Sequence, residues 1–261
     1  MTNVATKPSL ADDLWMATRS AQRDPARYIP PKDQASTMLS EVLRDTGRAL
    51  DTKQSDLLGD AKTPGDLRIY YAGELALLKR PCVAIVGTRD VSVSGKAATE
   101  WLARKLVDAG IVVVSGLAYG VDTVAHTAAI EQGGKTIAVI GTPLDKASPS
   151  ENAPLQERIY REHLLISRFR QGEKTFRSSF PLRNRLMAAL SDATVVMEAS
   201  DTSGTLHQAA ECTRLGRWLF IAKSVVDDPK LTWPHKFLKY ETCVVLERAS
   251  QITERILTSS Q

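Results

Sequence analysis

Val83-Ala-Ile-Val-Gly-Thr-Arg89 and, after a helix-length interval, Ile111-Val-Val-Val-Ser-Gly-Leu-Ala-Tyr-Gly-Val-Asp122 decide the fold of this chain. Each begins with a short β-branched run, and each run stops at a Gly or a Ser-Gly pair. Residues 95–109 between them are long enough for a crossover helix. Strand, helix, strand with small residues at the strand ends is the signature of a parallel sheet. In such sheets ligands sit beyond the carboxyl ends of the strands.

The pattern repeats downstream. Expected strands lie at 83–86, 111–114, 136–140, 164–167, 194–198, 218–222 and 243–246, with a further short one at 67–71. Expected helices lie at 95–109, 121–132, 154–162, 182–191, 205–215 and 250–257. This is an α/β fold, an extended Rossmann-like, doubly wound and mostly parallel sheet. Upstream, residues 10–19, 34–50 and 53–58 have helical spacing and no strand-like run. The reading is therefore a helical N-terminal lobe or arm over 1–62 and a main domain over 63–261.

Composition narrows the function classes. A 43% hydrophobic fraction in 261 residues supports a sizeable core. The net charge of +4 is too small to identify a polyanionic partner, so its distribution matters more than its sum. No apolar run has the length of a membrane span, and the first eleven residues lack a signal-peptide layout. Cys82, Cys212 and Cys243 are far apart and form no C-x-x-C pair, which argues against a zinc site or a disulfide framework. A cytoplasmic protein with no metal and no cofactor is expected.

The strand ends carry the candidate chemistry. Gly87, Thr88 and Arg89 combine close backbone approach, a hydroxyl and a fork of donors, which suits phosphate. Neither G-x-G-x-x-G nor a P-loop ending is present. Ser115 and Gly116 lead into a second donor-rich turn, with the helix near Val121 aimed at it. Asp122 and His126, four apart on that helix, are either a catalytic or metal pair or a local capping and hydrogen-bonding pair; no third ligand stands at useful spacing. Between Arg161 and Thr205 the basic residues Arg161, Arg168, Arg170, Lys174, Arg177, Arg183 and Arg185 face only Glu162 and Glu173 nearby. Phe169, Phe176 and Phe180 are interleaved with them. Basic groups that follow a backbone and aromatics that stack bases compose a single-strand groove; a solvated basic face over core phenylalanines is the alternative. Within Arg183-Asn184-Arg185 the two arginines diverge, so one is expected to reach a ligand and the other to hold the fold. Ser203, Gly204 and Thr205 form a third hydroxyl-and-glycine turn at a helix start. Glu198 is the acid best placed to act as a base, but no nucleophile accompanies it. His207 reads as a local hydrogen-bonder.

These motifs as a spaced set resemble the DNA-processing protein A family, also called Smf. The matching residues are Ala84-Ile-Val-Gly-Thr-Arg89, Ser115-Gly-Leu-Ala-Tyr-Gly-Val-Asp122 with Ala125-His126, Gly133-Gly134 before Thr136-Ile-Ala-Val-Ile-Gly141, Phe180-Pro-Leu-Arg-Asn-Arg185, Val195-Val-Met-Glu-Ala199 and Ser203-Gly-Thr-Leu206. The resemblance runs from about residue 64 to 256. It implies a Rossmann-like domain that binds single-stranded DNA, forms a homodimer and helps load a RecA-type recombinase during recombination or natural transformation. It further implies that the strand threads a pocket of Gly87, Thr88, Arg89, Ser115, Gly116, Lys174, Phe180, Arg183 and Arg185, with Ser203 and Gly204 nearby. The chain departs from the usual pattern at Ser167-Arg168, His207-Gln208 and Lys223-Ser224, and no winged helix is expected after residue 256. Two alternatives follow from a divergent member. One is an antitoxin-like half of a phage-defence pair that restrains a cognate toxin. The other is a nucleotide phosphoribohydrolase of the related lysine-decarboxylase-like group, for which the nearest acid after Gly204-Thr205 is Glu211, displaced by about a helical turn.

Overall fold

In the computed structural model, residues 28–50 and 67–257 are described. Nine strands form one sheet: β1 (Ala35–Met38), β2 (Arg68–Gly73), β3 (Cys82–Gly87), β4 (Val112–Ser115), β5 (Thr136–Ile140), β6 (Leu164–Ser167), β7 (Ala193–Glu198), β8 (Trp218–Ala222) and β9 (Cys243–Leu246). Their spatial order is β1-β2-β6-β5-β4-β3-β7-β8-β9. The pairs β1/β2 and β2/β6 are antiparallel and all others are parallel. The parallel strands are covered on both faces, which is why they read as unbroken apolar runs rather than alternating ones.

Helices alternate with the strands: α1 (Leu39–Asp45), α2 (Val93–Asp108), α3 (Val121–Glu131), α4 (Ala153–Glu162), α5 (Ser179–Leu190), α6 (Thr205–Arg214), the single turns α7 (Lys223–Val226) and α8 (Pro234–Phe237), and α9 (Ser250–Ile256). The strand period of two sorts the core. Val83, Ile85 and Val113 face α2, α3 and α9 through Leu102, Leu106, Ala125 and Ile252. Ala84, Val86 and Val114 face α1, α5 and α6 through Leu39, Leu186, Leu190 and Ala209. Each such aliphatic side chain contributes about 1.5–3 kcal/mol of burial.

This sorting positions the site. β3 sends its chain to α2 on one face, whereas its neighbour β7 sends its chain to α6 on the other. The diverging connections open a crevice at the carboxyl ends of β3 and β7, the place where open α/β sheets bind ligands. The register slips there, between Val86 and Gly87, and Thr88 N–H donates to the Glu198 carbonyl at 2.6 Å.

The N-terminal reading needs correction. Residues 34–50 are not one helix: Ala35–Met38 pair with β2 as an edge strand, and the helix starts only at Leu39. Ser36, Thr37 and Met38 carry no recognisable alternation, so the pairing partner rather than local sequence sets this strand. The described part of the expected lobe thus belongs to the main sheet, with Leu39, Val42 and Leu43 buried in its core. The helices read at 10–19 and 53–58, and the boundary at 62/63, lie outside the described residues.

Candidate nucleic-acid interface

A pocket of about 330 Å³ occupies the crevice. Gly87, Thr88 and Arg89 form one wall, the start of α5 with Phe180, Arg183 and Asn184 a second, and Ser203, Gly204 and Thr205 at the start of α6 a third. The walls are tied together. Thr205 Oγ1 donates to the Gly87 carbonyl at 3.1 Å, and Asn184 Nδ2 donates to the Gly204 carbonyl at 3.4 Å. Ser203 Oγ accepts from the Thr205 amide at 3.2 Å, fixing the turn that opens α6. Val121 N–H donates to the Thr88 carbonyl at 3.1 Å. Gly120, at φ +71°, allows this approach, because a Cβ there would collide with the Thr88 and Arg89 carbonyls.

Arg183 lies beneath the pocket. It is 6% exposed, and its Nη1 donates to the Val139 carbonyl at 2.9 Å. Burial lowers its pKa, the Asp122 charge opposes that, and the Arg89 charge adds to it. Asp122 is equally buried. Burial raises its carboxyl pKa, and Arg183 together with the Ala118 amide, which donates at 3.3 Å, pulls it back. Leu117 takes φ +58° in the loop that wraps this carboxylate. A buried cation backed by a buried anion gives a fixed positive field with little freedom to rearrange. Arg89 lies at the mouth with its Cζ 5.9 Å from the Phe180 ring centroid, and that ring packs against Gly141, where a Cβ would crowd it.

The structure therefore brings together Gly87, Thr88, Arg89, Phe180, Arg183, Asn184, Ser203, Gly204 and Thr205. Gly116 lies against the Arg183 guanidinium. Ser115 is buried, and its Oγ donates to the Ile85 carbonyl at 2.7 Å, so it supports the strand end. Lys174 is exposed in the segment before α5 and does not line the pocket. Arg185 turns away and donates to Glu211 at 3.2 Å. Of the two diverging arginines, Arg183 faces the pocket and Arg185 holds the fold. His126 is fully buried against Thr136 Oγ1 at 2.7 Å. The Thr136 hydroxyl donates to the Val113 carbonyl and so accepts from His126 Nδ1–H. Asp122 and His126 are thus the local pair of the two readings. Glu198 accepts from Ser92 Oγ at 2.9 Å and from the Ser92 amide at 3.2 Å, and so holds the residue whose hydroxyl caps α2 by accepting from the Gly95 amide. It is a structural acceptor at a helix start rather than a base beside a nucleophile.

His207 and Ser200 also line the pocket. The sequence marks His207 as a local hydrogen-bonder, and its place at the start of α6 is the one signal that it borders the pocket. The Val139 carbonyl that fixes Arg183 left no signal in the sequence, since a backbone group carries none.

A family model of the DNA recombination-mediator protein A matches residues 52–257. The chain belongs to this family. DNA processing protein DprA of Streptococcus pneumoniae is 44% identical over 160 residues, covering 61% of this chain and 56% of that protein. Protein Smf of Synechocystis is 41% identical over 156 residues, covering 58% and 39%. The matches thus span about half the length of these relatives. Among solved structures, DprA of S. pneumoniae superposes with a TM-score of 0.72 at 29% identity, covering 96% of this chain and 87% of that one. DprA of Helicobacter pylori, described for its single-stranded DNA binding mode, gives 0.68 at 26% identity, covering 86% and 96%. The molybdenum cofactor binding protein of Rippkaea orientalis, at 14% identity and a TM-score of 0.51 over 70% of this chain and 98% of that one, shares the fold. The family's Rossmann-like sheet is therefore present here, with its mostly parallel order as expected. Among the described residues, no helix is long and apolar enough to cross a membrane.

Proposed function

We propose that the chain binds single-stranded DNA across the β3–β7 crevice and serves as a recombination mediator, presenting the strand to a RecA-type recombinase. One observation carries this reading. Arg89, the buried Arg183 and the start of α6 converge on one pocket, beside an aromatic ring already stacked by a cation. Phosphates meet positive charge and the partial positive end of the α6 dipole there, and Phe180 offers a face to a base of any identity. Membership of the family and the DNA-binding description of the H. pylori relative support the same substrate. A homodimer in the cytoplasm is part of this reading.

A binding role also suits the acids better than hydrolysis does. Among the described residues, the one carboxylate lining the pocket, Asp122, accepts from the Ala118 amide beside Arg183. Glu211 is buried between Arg185 and Arg214. Neither is free to work on a sugar.

The test is a titration of a labelled oligo-dT and the matching duplex at several salt concentrations, repeated on Arg89→Ala and Arg183→Ala. Salt-sensitive binding to the single strand, weakened in both variants, is expected. Absence of binding at low salt overturns the reading and leaves the restraint of a cognate toxin as the alternative to pursue.

A further inference from the structure

A second pocket, of about 550 Å³, lies next to the first, on the α2 side of the same crevice. The two share Thr88 and Ser200. Their chemistry differs. The first is lined by Arg89, Arg183 and His207 with one acid. Among the described residues, the second contains Glu198 and Asp228, several hydroxyls, and no lysine, arginine or histidine. Its walls include buried apolar side chains, among them Met197 and Val225. Each carboxylate is held by a backbone amide: Glu198 by Ser92 at 3.2 Å, and Asp228 by Lys230 at 2.9 Å. Such a cavity repels phosphate and attracts a flat apolar group with N–H donors on its edge.

The geometry points to this pocket as a base subsite, deepening the proposed function on which it rests. The phosphates of a strand lie in the basic pocket. An adjoining unpaired base enters the acidic one, with its face on the apolar wall and its exocyclic amine donating to Glu198 or Asp228. Carboxylates accept from the N4 amine of cytosine in this way. Thymine has no exocyclic amine, and its one edge donor, N3–H, lies between two carbonyl oxygens that would face the two carboxylates. The subsite therefore discriminates between two bases of the same size, a selectivity that phosphate contacts and stacking alone do not supply.

The test compares labelled oligo-dC and oligo-dT of equal length at pH 8, where cytosine stays neutral. Proteins are the full chain, Asp228→Ala, Glu198→Gln, Ser224→Trp, which plugs the cavity from its wall, and Arg89→Ala, each checked for folding by thermal unfolding. The full chain is expected to bind oligo-dC about threefold to tenfold more tightly, the net worth of about one hydrogen bond. That ratio should fall to about one in Ser224→Trp and in at least one of Asp228→Ala and Glu198→Gln, whichever removes the acceptor. Should Asp228→Ala fail to fold, Glu198→Gln and Ser224→Trp carry the comparison. Equal affinities in the full chain, or a preference that survives in the folded variants, overturn the subsite; if Arg89→Ala still weakens both oligomers, the DNA-binding reading stands. Failure of both oligomers to bind overturns the two together.

Discussion

The guanidinium of Arg183 fills the space against Gly116 that any side chain there would need. The missing side chain at 116 is thus what lets the arginine reach the Val139 carbonyl beneath the pocket. Gly116→Ala forces the guanidinium out of a packed position, an overpacking that costs about 1–3 kcal/mol. A lower Tm together with weakened oligo-dT binding is expected. Gly110→Ala is the control: Gly110 has φ +76° but open space around it, so this variant loses stability while keeping its affinity. Undiminished DNA binding by a folded Gly116→Ala protein would separate Arg183 from the ligand.

Arg89 combines position and freedom. It lies over Phe180 at the mouth of the pocket and is the cation best placed to meet an incoming phosphate. Arg89→Ala should weaken oligo-dT binding and reduce the slope of log affinity against log salt by about one, the signature of a single lost phosphate contact. Phe180→Ala should instead leave that slope unchanged and cost about 1–3 kcal/mol of binding through lost stacking. Titrations at four salt concentrations distinguish the two.

The sheet was legible because its central strands are buried on both faces. Val83–Val86 and the run 137–140 are unbroken apolar stretches, and the glycines at their ends mark where the chain turns. Phosphate-suited residues could be found from those ends alone. The partners of the two arginines could not. Arg183 and Arg185 differ by one helical step of two residues, and the sequence shows no reason for one to meet a backbone carbonyl and the other Glu211. The edge strand Ala35–Met38 was hidden for a related reason: three of its four residues, Ala35, Ser36 and Thr37, are polar or small, and only pairing with Arg68–Tyr71 makes it extended. Lys174 shows the limit of composition, since a basic residue in a basic stretch need not point into the groove.

Arg185 supplies the sharpest contrast with that composition-based reading. Its Nε pairs with a Glu211 carboxylate that is 8% exposed and shared with Arg214. Arg185→Ala leaves a buried acid with one exposed partner in place of two, for a loss of about 1–3 kcal/mol in stability. Oligo-dT affinity should stay within about twofold of the parent, since a charge outside the pocket is largely screened. Urea unfolding and anisotropy on the same samples test both halves; a large loss of affinity without loss of stability would return Arg185 to the interface.

Two histidines give the protein an acid-sensitive core. Burial, then the charges of His163 and Arg183, push His126 down to about 3 from 6.5. Burial, then Lys135, pushes His163 down to about 4. Both folded-state values are depressed, so the unfolded chain takes up protons that the folded chain refuses. Their contribution to stability is complete above about pH 6.5 and is lost as pH falls toward 4, at about 1.4 kcal/mol per pH unit for each histidine. Asp122 acts in the opposite sense: its raised carboxyl pKa contributes stability that is present below the ordinary 3.8 and lost as pH rises, which offsets part of the acid loss. Urea midpoints measured between pH 7 and 4 should fall steadily. In His163→Gln the fall should be about half as steep; an identical slope would show that His163 is not a source of the acid sensitivity.

Beyond the β1–β2 pairing and the burial of α1, one arginine ties the N-terminal segment to the centre of the sheet. Arg48 is 3% exposed and meets Asp192 through two hydrogen bonds, Nε to Oδ1 at 2.8 Å and Nη2 to Oδ2 at 2.6 Å. It also donates to the Leu78 and Arg80 carbonyls, while Asp192 accepts from the Cys82 amide at the start of β3. One guanidinium thus joins the chain after α1, the turn before β3 and the turn before β7. Arg48→Ala strips the Leu78, Arg80 and Asp192 acceptors of their donor; the Asp192 side chain is 26% exposed, so the loss should fall below the cost of a fully buried pair broken from one side, about 3–5 kcal/mol. Arg48→Lys cannot reproduce the forked geometry and should recover only part of that loss. Because the damage lies at the amino ends of β3 and β7, opposite the crevice, oligo-dT affinity of whatever protein remains folded should be unaltered. Hydrogen exchange is the direct check: in Arg48→Ala the amides of β1 and β2 should lose protection before those of β3 and β7, and a uniform loss across the sheet would show that Arg48 supports the whole domain rather than fastening this edge to it.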